Sequence, residues 1–380
     1  MKRGPLIIVI VVIEVIVGLI LFFNYRYLVD RLRPTPAPST LETLPAANVQ
    51  VAATPPAQAA GLSTGAQSQL LVAIPPAILS LFDILPPEAP PLTYQLSDAL
   101  ITLGRVLYYE PRLSVNQTQS CNTCHPLDRY GMDALPLSIG HDGAPVTRNA
   151  PTVYNAALHI AQFWDGRSPT VEEQAKGPIL ASGEMGMLDA VAVETALRAI
   201  PGYAPLFAAA FPGDPNPITF DHVAQAIGAF ERRLMTPSRF DRFLAGEYGQ
   251  FTEQEQRGFA TFVDLGCPNC HVGVTVGGLQ FKKLGEKEPY PVEDNGRFTI
   301  TKLEVDRHVF KVPSLRNVAR TAPYLHNGSI QTLEEMVPLM ARYQLGKQVT
   351  PEQITDIVAF LNTLTGDIPR AYITPPPLPQ

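Results

Sequence analysis

The chain has 380 residues, room for two domains, with 46% hydrophobic and 17% charged residues and a formal net charge of −6. That balance suits a globular core plus one apolar segment, and the charge argues against nucleic acid as a partner. The 38 prolines are unevenly placed, and the seven histidines are each a candidate metal ligand.

Leu6 to Phe23 is an apolar run of 18 residues broken by Glu14 and Gly18. At helical rise it approaches the thickness of a bilayer core, and Tyr25, Tyr27 and Leu28 extend it. It is longer than the apolar region of a signal peptide, and no small-x-small cleavage site follows. Residues 1–30 are therefore read as an uncleaved single-pass membrane anchor. Lys2 and Arg3 precede the span and Arg26, Arg31 and Arg33 follow it, so charge leaves the orientation undecided. Glu14 would cost about 2.5–3.5 kcal/mol if charged at mid-span; it is either protonated or turned to a partner helix.

Residues 31–91 read as a Pro/Ala-rich linker. Prolines recur from Pro34 to Pro91 among Ala, Ser, Thr and Gln, with Glu42, Asp83 and Glu88 as the charges. Such a stretch favours extended polyproline II, about 3.1 Å per residue, and can reach on the order of 100 Å. Its apolar piece, Ala77 to Leu85, is suited to docking as a short helix.

From Leu92 onward the pattern is mostly helical. Ser97 caps a helix through about Tyr109. Leu188–Ile200 and Thr219–Met235 have helical apolar spacing. Thr252 with Glu255, and Thr332 with Glu335, form capping boxes. Thr350, Pro351 and Gln353 supply a cap, a first-turn proline and an N3 partner for the last helix. Residues 369–380 are a Pro-rich tail.

All four cysteines fall in two copies of one pattern, Cys121-Asn122-Thr123-Cys124-His125 and Cys267-Pro268-Asn269-Cys270-His271. Thiols three apart share one face of a helical turn. Each can add to a haem vinyl group, and the following histidine then lies under the iron as an axial ligand. A structural zinc site or redox disulfides also use C-x-x-C pairs, but neither requires a histidine directly after both. Two covalently bound haem c groups imply redox work. Because such haem is attached outside the cytoplasmic membrane, everything after the anchor is expected on the periplasmic or extracytoplasmic side.

Further segments carry a resemblance. They are Gly140-His141-Asp142-Gly143 with Arg148 to Val153; Gln162 to Arg167; Glu173 to Pro178 with Glu184 to Met187; Val312 to Asn317 continuing through Thr321 to Gly328; and Met340 through Gln344 to Gln348. With the two haem motifs they make residues 92–368 resemble bacterial dihaem cytochrome c peroxidases, the superfamily that also holds MauG. The resemblance implies a mainly α fold of two cytochrome-c-like domains, about 92–235 and 236–368, with a calcium ion near their interface. It implies reduction of hydrogen peroxide to water with electrons from a small cytochrome c or cupredoxin, and a homodimer.

By position, His125 resembles the proximal ligand of the N-terminal, peroxidatic haem. His271 resembles that of the C-terminal, electron-entry haem. His141 resembles the removable distal ligand of the first, and Met340 the sixth ligand of the second. Trp164, the sole tryptophan, resembles the residue between the haems. Glu184 and Gln174 resemble distal-pocket residues. Asn149 by its side chain, and Thr321 and Pro323 by their carbonyls, resemble calcium ligands.

The residue chemistry agrees with these roles. A carboxylate such as Glu184 can shuttle a proton between peroxide oxygens, and Gly140 and Gly143 give His141 a mobile setting. Methionine ligation raises haem potential relative to bis-histidine. Met336 and Met340 share one predicted helix face, so spacing alone leaves core packing open for either. The structural alternatives are a core position for Trp164 and a surface or capped-turn carboxylate for Glu184. His159, His222 and His308 are read as structural, and His326 is expected near the second haem or the interface. MauG carries a tyrosine where the methionine ligand stands in the peroxidases. Met340 holds that place here, with Tyr343 one turn away, which favours the peroxidase over a MauG-like enzyme oxidising a partner protein. A tethered, non-enzymatic dihaem electron carrier is the other alternative.

Overall fold

The computed structural model describes residues 74–91 and 93–380. The apolar run over 6–23 and most of the proline-rich stretch lie outside them. Among the described residues no helix is long and apolar enough to cross a membrane.

Two helical lobes follow one another. The first contains α2 (Asp98–Tyr108), the one-turn α3 (Cys121–Cys124), α4 (Val171–Leu180), α5 (Ala190–Arg198), α6 (Tyr203–Ala210) and α7 (Phe220–Glu231). Its core is built on Leu103, Leu107, Phe207, Ile227 and Phe230, all fully buried. The second contains α8 (Arg239–Leu244), α9 (Glu253–Leu265), α10 (Phe298–Thr301), α11 (Leu333–Leu345) and α12 (Pro351–Thr363). An aromatic core of Phe240, Phe243, Phe259 and Phe360 holds it together. A small antiparallel hairpin, β1 (Phe281–Lys283) and β2 (Val309–Lys311), pairs Phe281 with Lys311 and Lys283 with Val309.

Local chemistry sets most helix starts. Ser97 Oγ accepts from Leu100 N at 3.2 Å. The boxes at Thr252/Glu255, Thr332/Glu335 and Thr350/Gln353 each make both reciprocal bonds. The helix expected from Leu188 begins at Ala190, because Asp189 caps it, and Leu188 is left 87% exposed. The helix expected to reach Met235 ends at Glu231. Leu234 and Met235 are buried from a turn instead, so their apolar character mimicked another helical turn.

Each lobe is closed by the same contact. In the first, a Cβ built on Gly104 of α2 would stand 1.8 Å from the Ala226 carbonyl oxygen of α7, beside Phe230. In the second, a Cβ on Gly258 of α9 would stand 1.9 Å from the Asp356 oxygen of α12, beside Phe360. The glycines let two helix backbones touch, and a phenylalanine four residues on fills the adjoining space.

The end of the linker is packed where extended chain is expected, except over Ala77 to Leu85, whose expected docking as a short helix is observed. From residue 74 the chain is packed. Residues Pro76–Leu79 form the one-turn α1. Phe82 sits edge-on to Phe240 and Phe259, with ring centroids at 5.5 and 5.7 Å. Leu85 N donates to Asp241 Oδ1 at 2.8 Å and Ala89 N to the Arg232 carbonyl at 2.8 Å. Proline is tolerated at the first position of α1 and limits regular structure after it, and Phe82 and Leu85 carry enough apolar surface to dock. The C-terminal tail folds back on the first lobe. Ile373 is 5% exposed within that lobe's core, and Arg112 Nη2 donates to the Pro379 carbonyl at 2.9 Å.

Gly104→Ala and Gly258→Ala should each destabilise the chain by about 1–3 kcal/mol, the usual cost of overpacking a close-packed contact. Urea unfolding checks this, with Gly249→Ala as the control for a glycine outside the left-handed region whose added Cβ would meet no atom within 4 Å.

Candidate functional site

Both C-x-x-C-H segments are tight turns whose following histidine is aimed by its own backbone. In the first lobe His125 N donates to the Cys121 carbonyl at 2.9 Å; in the second His271 N donates to Cys267 O at 3.0 Å. The first turn is a capped one, with Ser120 N donating to Thr123 Oγ1 at 3.0 Å. The second follows α9 directly, released by Gly266 at φ 89°. All four cysteines are unpaired. The pairs belong to different lobes, and no cluster of three or more His, Cys, Asp or Glu occurs among the described residues, which removes the shared zinc reading.

The residues present fit two haems. His125 Nδ1 lies 3.1 Å from the Gly131 carbonyl. A carbonyl can only accept, so the proton is on Nδ1 and Nε2 is free to ligate. Burial pushes His125 below the usual histidine range and His271 down to about 4, which keeps both imidazoles in the neutral, ligating form. His271 Nδ1 is buried without a hydrogen-bond partner. Gly277 makes room for it: a Cβ there would stand 3.0 Å from Nδ1 and 2.4 Å from the Pro313 carbonyl.

Around Cys267, Cys270 and His271 opens a cavity of ≈ 250 Å³ with largely apolar walls. Met340 and Met336, both on α11, line it. Tyr343 packs edge-on to Tyr290 instead, ring centroids 5.0 Å apart. Trp164 is on the wall where first-lobe residues Met132, Pro151 and Thr152 meet the second lobe. Its Nε1 donates to the Asn149 carbonyl at 2.9 Å, and its own carbonyl accepts from Lys311 N at 2.8 Å. The buried His326 packs edge-on to Trp164 and stacks on Phe310 at 4.5 Å.

Asn149, Thr321 and Pro323 also border this cavity. Asn149 Nδ2 donates to the Leu135 and Pro136 carbonyls at 2.9 and 3.3 Å, which orients Oδ1 for another partner. Among the described residues no hydrogen bond reaches the Thr321 or Pro323 carbonyl. Three oxygens without donors suit a hard cation.

In the first lobe burial pushes the Cys124 thiol up to about 11, with the carboxylates of Asp133 and Glu184 adding to it. Burial pushes the Glu184 carboxyl up, opposed by the charge of Arg167. Gln174 is half-buried on α4. His141 is placed informatively. Its backbone N donates to the Glu184 carbonyl at 2.8 Å and its Nε2 lies 2.9 Å from the Ser182 carbonyl. Nε2 therefore carries a proton and cannot ligate through that nitrogen in this conformation. Gly186 makes space for the ring, since a Cβ there would stand 2.4 Å from Nε2.

The sequence did not flag Arg148, which clamps Asp165 and Asp294 at 2.6 Å each. Nor did it flag the buried pair Lys311 and His159, whose partners are remote in sequence. His222 stacks on Phe211 at 3.6 Å, and His308 Nδ1 meets the Asp294 carbonyl at 2.9 Å.

A family model described as di-haem cytochrome c peroxidase matches residues 98–249. Cytochrome c551 peroxidase of Pseudomonas aeruginosa is 43% identical over 298 residues, 77% of this chain and 86% of that protein. The chain belongs to the dihaem cytochrome c peroxidase family. Methylamine utilization protein MauG of Methylorubrum extorquens is more distant, 35% identical over 77% of this chain and 84% of that protein. A solved structure, a MauG-like protein associated with microbial copper homeostasis, superposes with a TM-score of 0.70 at 33% identity, covering 77% of this chain and 97% of its own. As a dihaem peroxidase family member the chain is an oxidoreductase that binds two c-type haems.

Replacing Cys267 and Cys270 together by serine should leave one haem per chain, and replacing all four cysteines none. Pyridine haemochrome content against intact mass measures this.

Proposed function

We propose that the chain reduces hydrogen peroxide to water at the Cys121/Cys124/His125 site, using electrons from a small cytochrome c or cupredoxin that enter at the Cys267/Cys270/His271 site. The observation that carries this reading over a passive electron carrier is His141. Its Nε2 bonds to the Ser182 carbonyl, a resting place away from ligation such as a removable distal ligand needs. When bound, the haems supply an iron for peroxide cleavage and a store for the second electron.

The chain's residues do the rest. The Glu184 carboxylate takes the proton from one peroxide oxygen and returns it to the other, which makes water the leaving group. Gln174 adds a polar side chain from α4. Met340 would hold the second haem together with His271, and Met336 lines the cavity beside it. Trp164 is the proposed relay, held at both ends by Asn149 O and Lys311 N. A calcium ion between Asn149 Oδ1 and the carbonyls of Thr321 and Pro323 would fix the same wall. The apolar run over 6–23 would tether the enzyme to the cytoplasmic membrane, catalytic lobes outside, with homodimerisation carried over from the family.

The MauG-like alternative has relatives in its favour. Met340 lines the cavity while Tyr343 packs on Tyr290, which supports the peroxidase.

With reduced donor, two donors should be oxidised per peroxide consumed, and Glu184→Ala should lower turnover by about 10²–10⁴-fold. A long-lived oxidised state without donor turnover would favour the MauG-like reading. The catalytic form of Glu184 is the carboxylate, and burial raises its pKa above that of an ordinary glutamate. Activity should therefore fall as pH drops through a value above 4.5, the reference value for Glu. Glu184→Gln should abolish that acid limb in a pH profile of kcat/KM. Gly186→Ala places a methyl against His141 Nε2. It should drive the imidazole out of this position and slow peroxide binding in stopped-flow mixing.

A further inference from the structure

Lys311 ends β2 at the wall of the second-lobe cavity, and it is only 8% exposed. Its Nζ lies 3.1 Å from His159 Nδ1, and among the described residues no carboxylate pairs with it. An ammonium can only donate, so His159 Nδ1 holds a lone pair and its proton is on Nε2. That Nε2 is buried and has no partner either. His159 is locked in place: its ring occupies the space a Cβ on Gly278 would need, at 2.5 Å, and Ile160 N donates to the Gly278 carbonyl at 2.9 Å. The two residues come from different lobes of the chain and meet on one wall.

Burying a cation and a donor without an acceptor is costly. Desolvation drops Lys311 to about 8 and pushes His159 well below its ordinary range. The cavity is otherwise largely apolar, so the missing anion must belong to the guest. A haem presents two carboxylates, its propionates, at one edge of the ring.

We propose that Lys311 forms the seat of a propionate of the second-lobe haem, the ammonium supplying the charge and His159 Nδ1 holding that ammonium in place. This rests on the reading that Cys267, Cys270 and His271 hold a haem. The seat belongs to a segment tied to the proposed relay, since Lys311 N donates to the Trp164 carbonyl at 2.8 Å. It also tunes the site. A bare carboxylate beside the ring favours the oxidised form, so a cation that neutralises it raises the reduction potential.

The test uses the full holoprotein. Haem content is counted first; fewer than two haems in the wild type would overturn the haem reading itself. Spectroelectrochemical titration then compares wild type, Lys311→Met, Lys311→Arg and His159→Phe. Lys311→Met should lower the reduced-to-oxidised ratio of the second-lobe haem about tenfold at a fixed potential, equivalent to about 59 mV. Lys311→Arg should restore most of it, and the first-lobe couple should stay in place. Resonance Raman should show the propionate bending band displaced in Lys311→Met and in His159→Phe. Two haems with an unshifted potential and an unshifted band in Lys311→Met would overturn the proposal. If that variant loses haem, an unshifted band in both Lys311→Arg and His159→Phe overturns it instead.

Discussion

Backbone-to-backbone contact between two helices, made possible by a missing side chain, is the constraint on which both lobes rest. Gly104 brings α2 against the Ala226 carbonyl of α7, and Gly258 brings α9 against the Asp356 carbonyl of α12. In each case the glycine-bearing helix is the one that precedes the cysteine pair. Fixing that helix fixes where the attachment turn begins. In the second lobe the link is short: α9 ends at Leu265, Gly266 turns the chain left-handed, and Cys267 follows at once. Any larger residue at the crossing would part the helices and shift the turn against the walls that face it. Close packing transmits such a shift because the interior has no slack to absorb it.

The surrounding polar network ties the docked segment over 74–91 (the strap) and the two lobes to this frame. Arg316 makes two 2.8 Å bonds to Asp241 and a third, of 2.6 Å, to the Val274 carbonyl. Asp241 also accepts from Leu85 N and from Ser238. Burial alone would raise the Asp241 carboxyl, but the Arg316 guanidinium and the backbone donors overcome it and hold it below the usual carboxylate range. A carboxyl depressed in the fold contributes stability above its unfolded pKa and loses it as pH falls through the folded value. Such a pair is worth less than its Coulomb energy suggests, because both groups left water to make it. Its clearer effect is on geometry: Asp241 joins the strap at Leu85 to the segment that carries Arg316.

Features with local causes were legible in the sequence. The capping boxes at Thr252, Thr332 and Thr350 depend on residues three apart, and each makes the bonds its pattern demands. The C-x-x-C-H turns are equally local. What escaped was set by partners distant in the chain. Ile373 docks because the first lobe's core reaches it, and Ala89 because the Arg232 carbonyl accepts its N–H; the docking of Ala77 to Leu85, which holds Phe82, was legible in its apolar run. The helix α4 carries Pro178 inside it, and the strands of the hairpin are three residues long, too short for alternation to register. Lys311 and His159 stand 152 positions apart, so neither marks the other. Periodicity also could not choose between Met336 and Met340, and the fold explains why: both reach the same cavity.

The two sides of the first site are built differently, and the difference bears on how it works. The proximal side is fixed by helix packing and by a carbonyl on His125 Nδ1. The distal side is two loops bonded to one another. His141 N is held by the Glu184 carbonyl and His141 Nε2 by Ser182, while the ring rests over Gly186. Gly140 in turn touches the Gly183 carbonyl, where a Cβ would stand 2.0 Å away. Every one of these contacts joins the loop of the candidate blocking ligand to the loop of the candidate proton carrier. His141 cannot move towards the site without breaking bonds to the segment that positions Glu184. On the proposed reading, opening the site and seating Glu184 as its acid–base carboxylate are one structural event, which makes a half-open site with a misplaced carboxylate an unfavoured state.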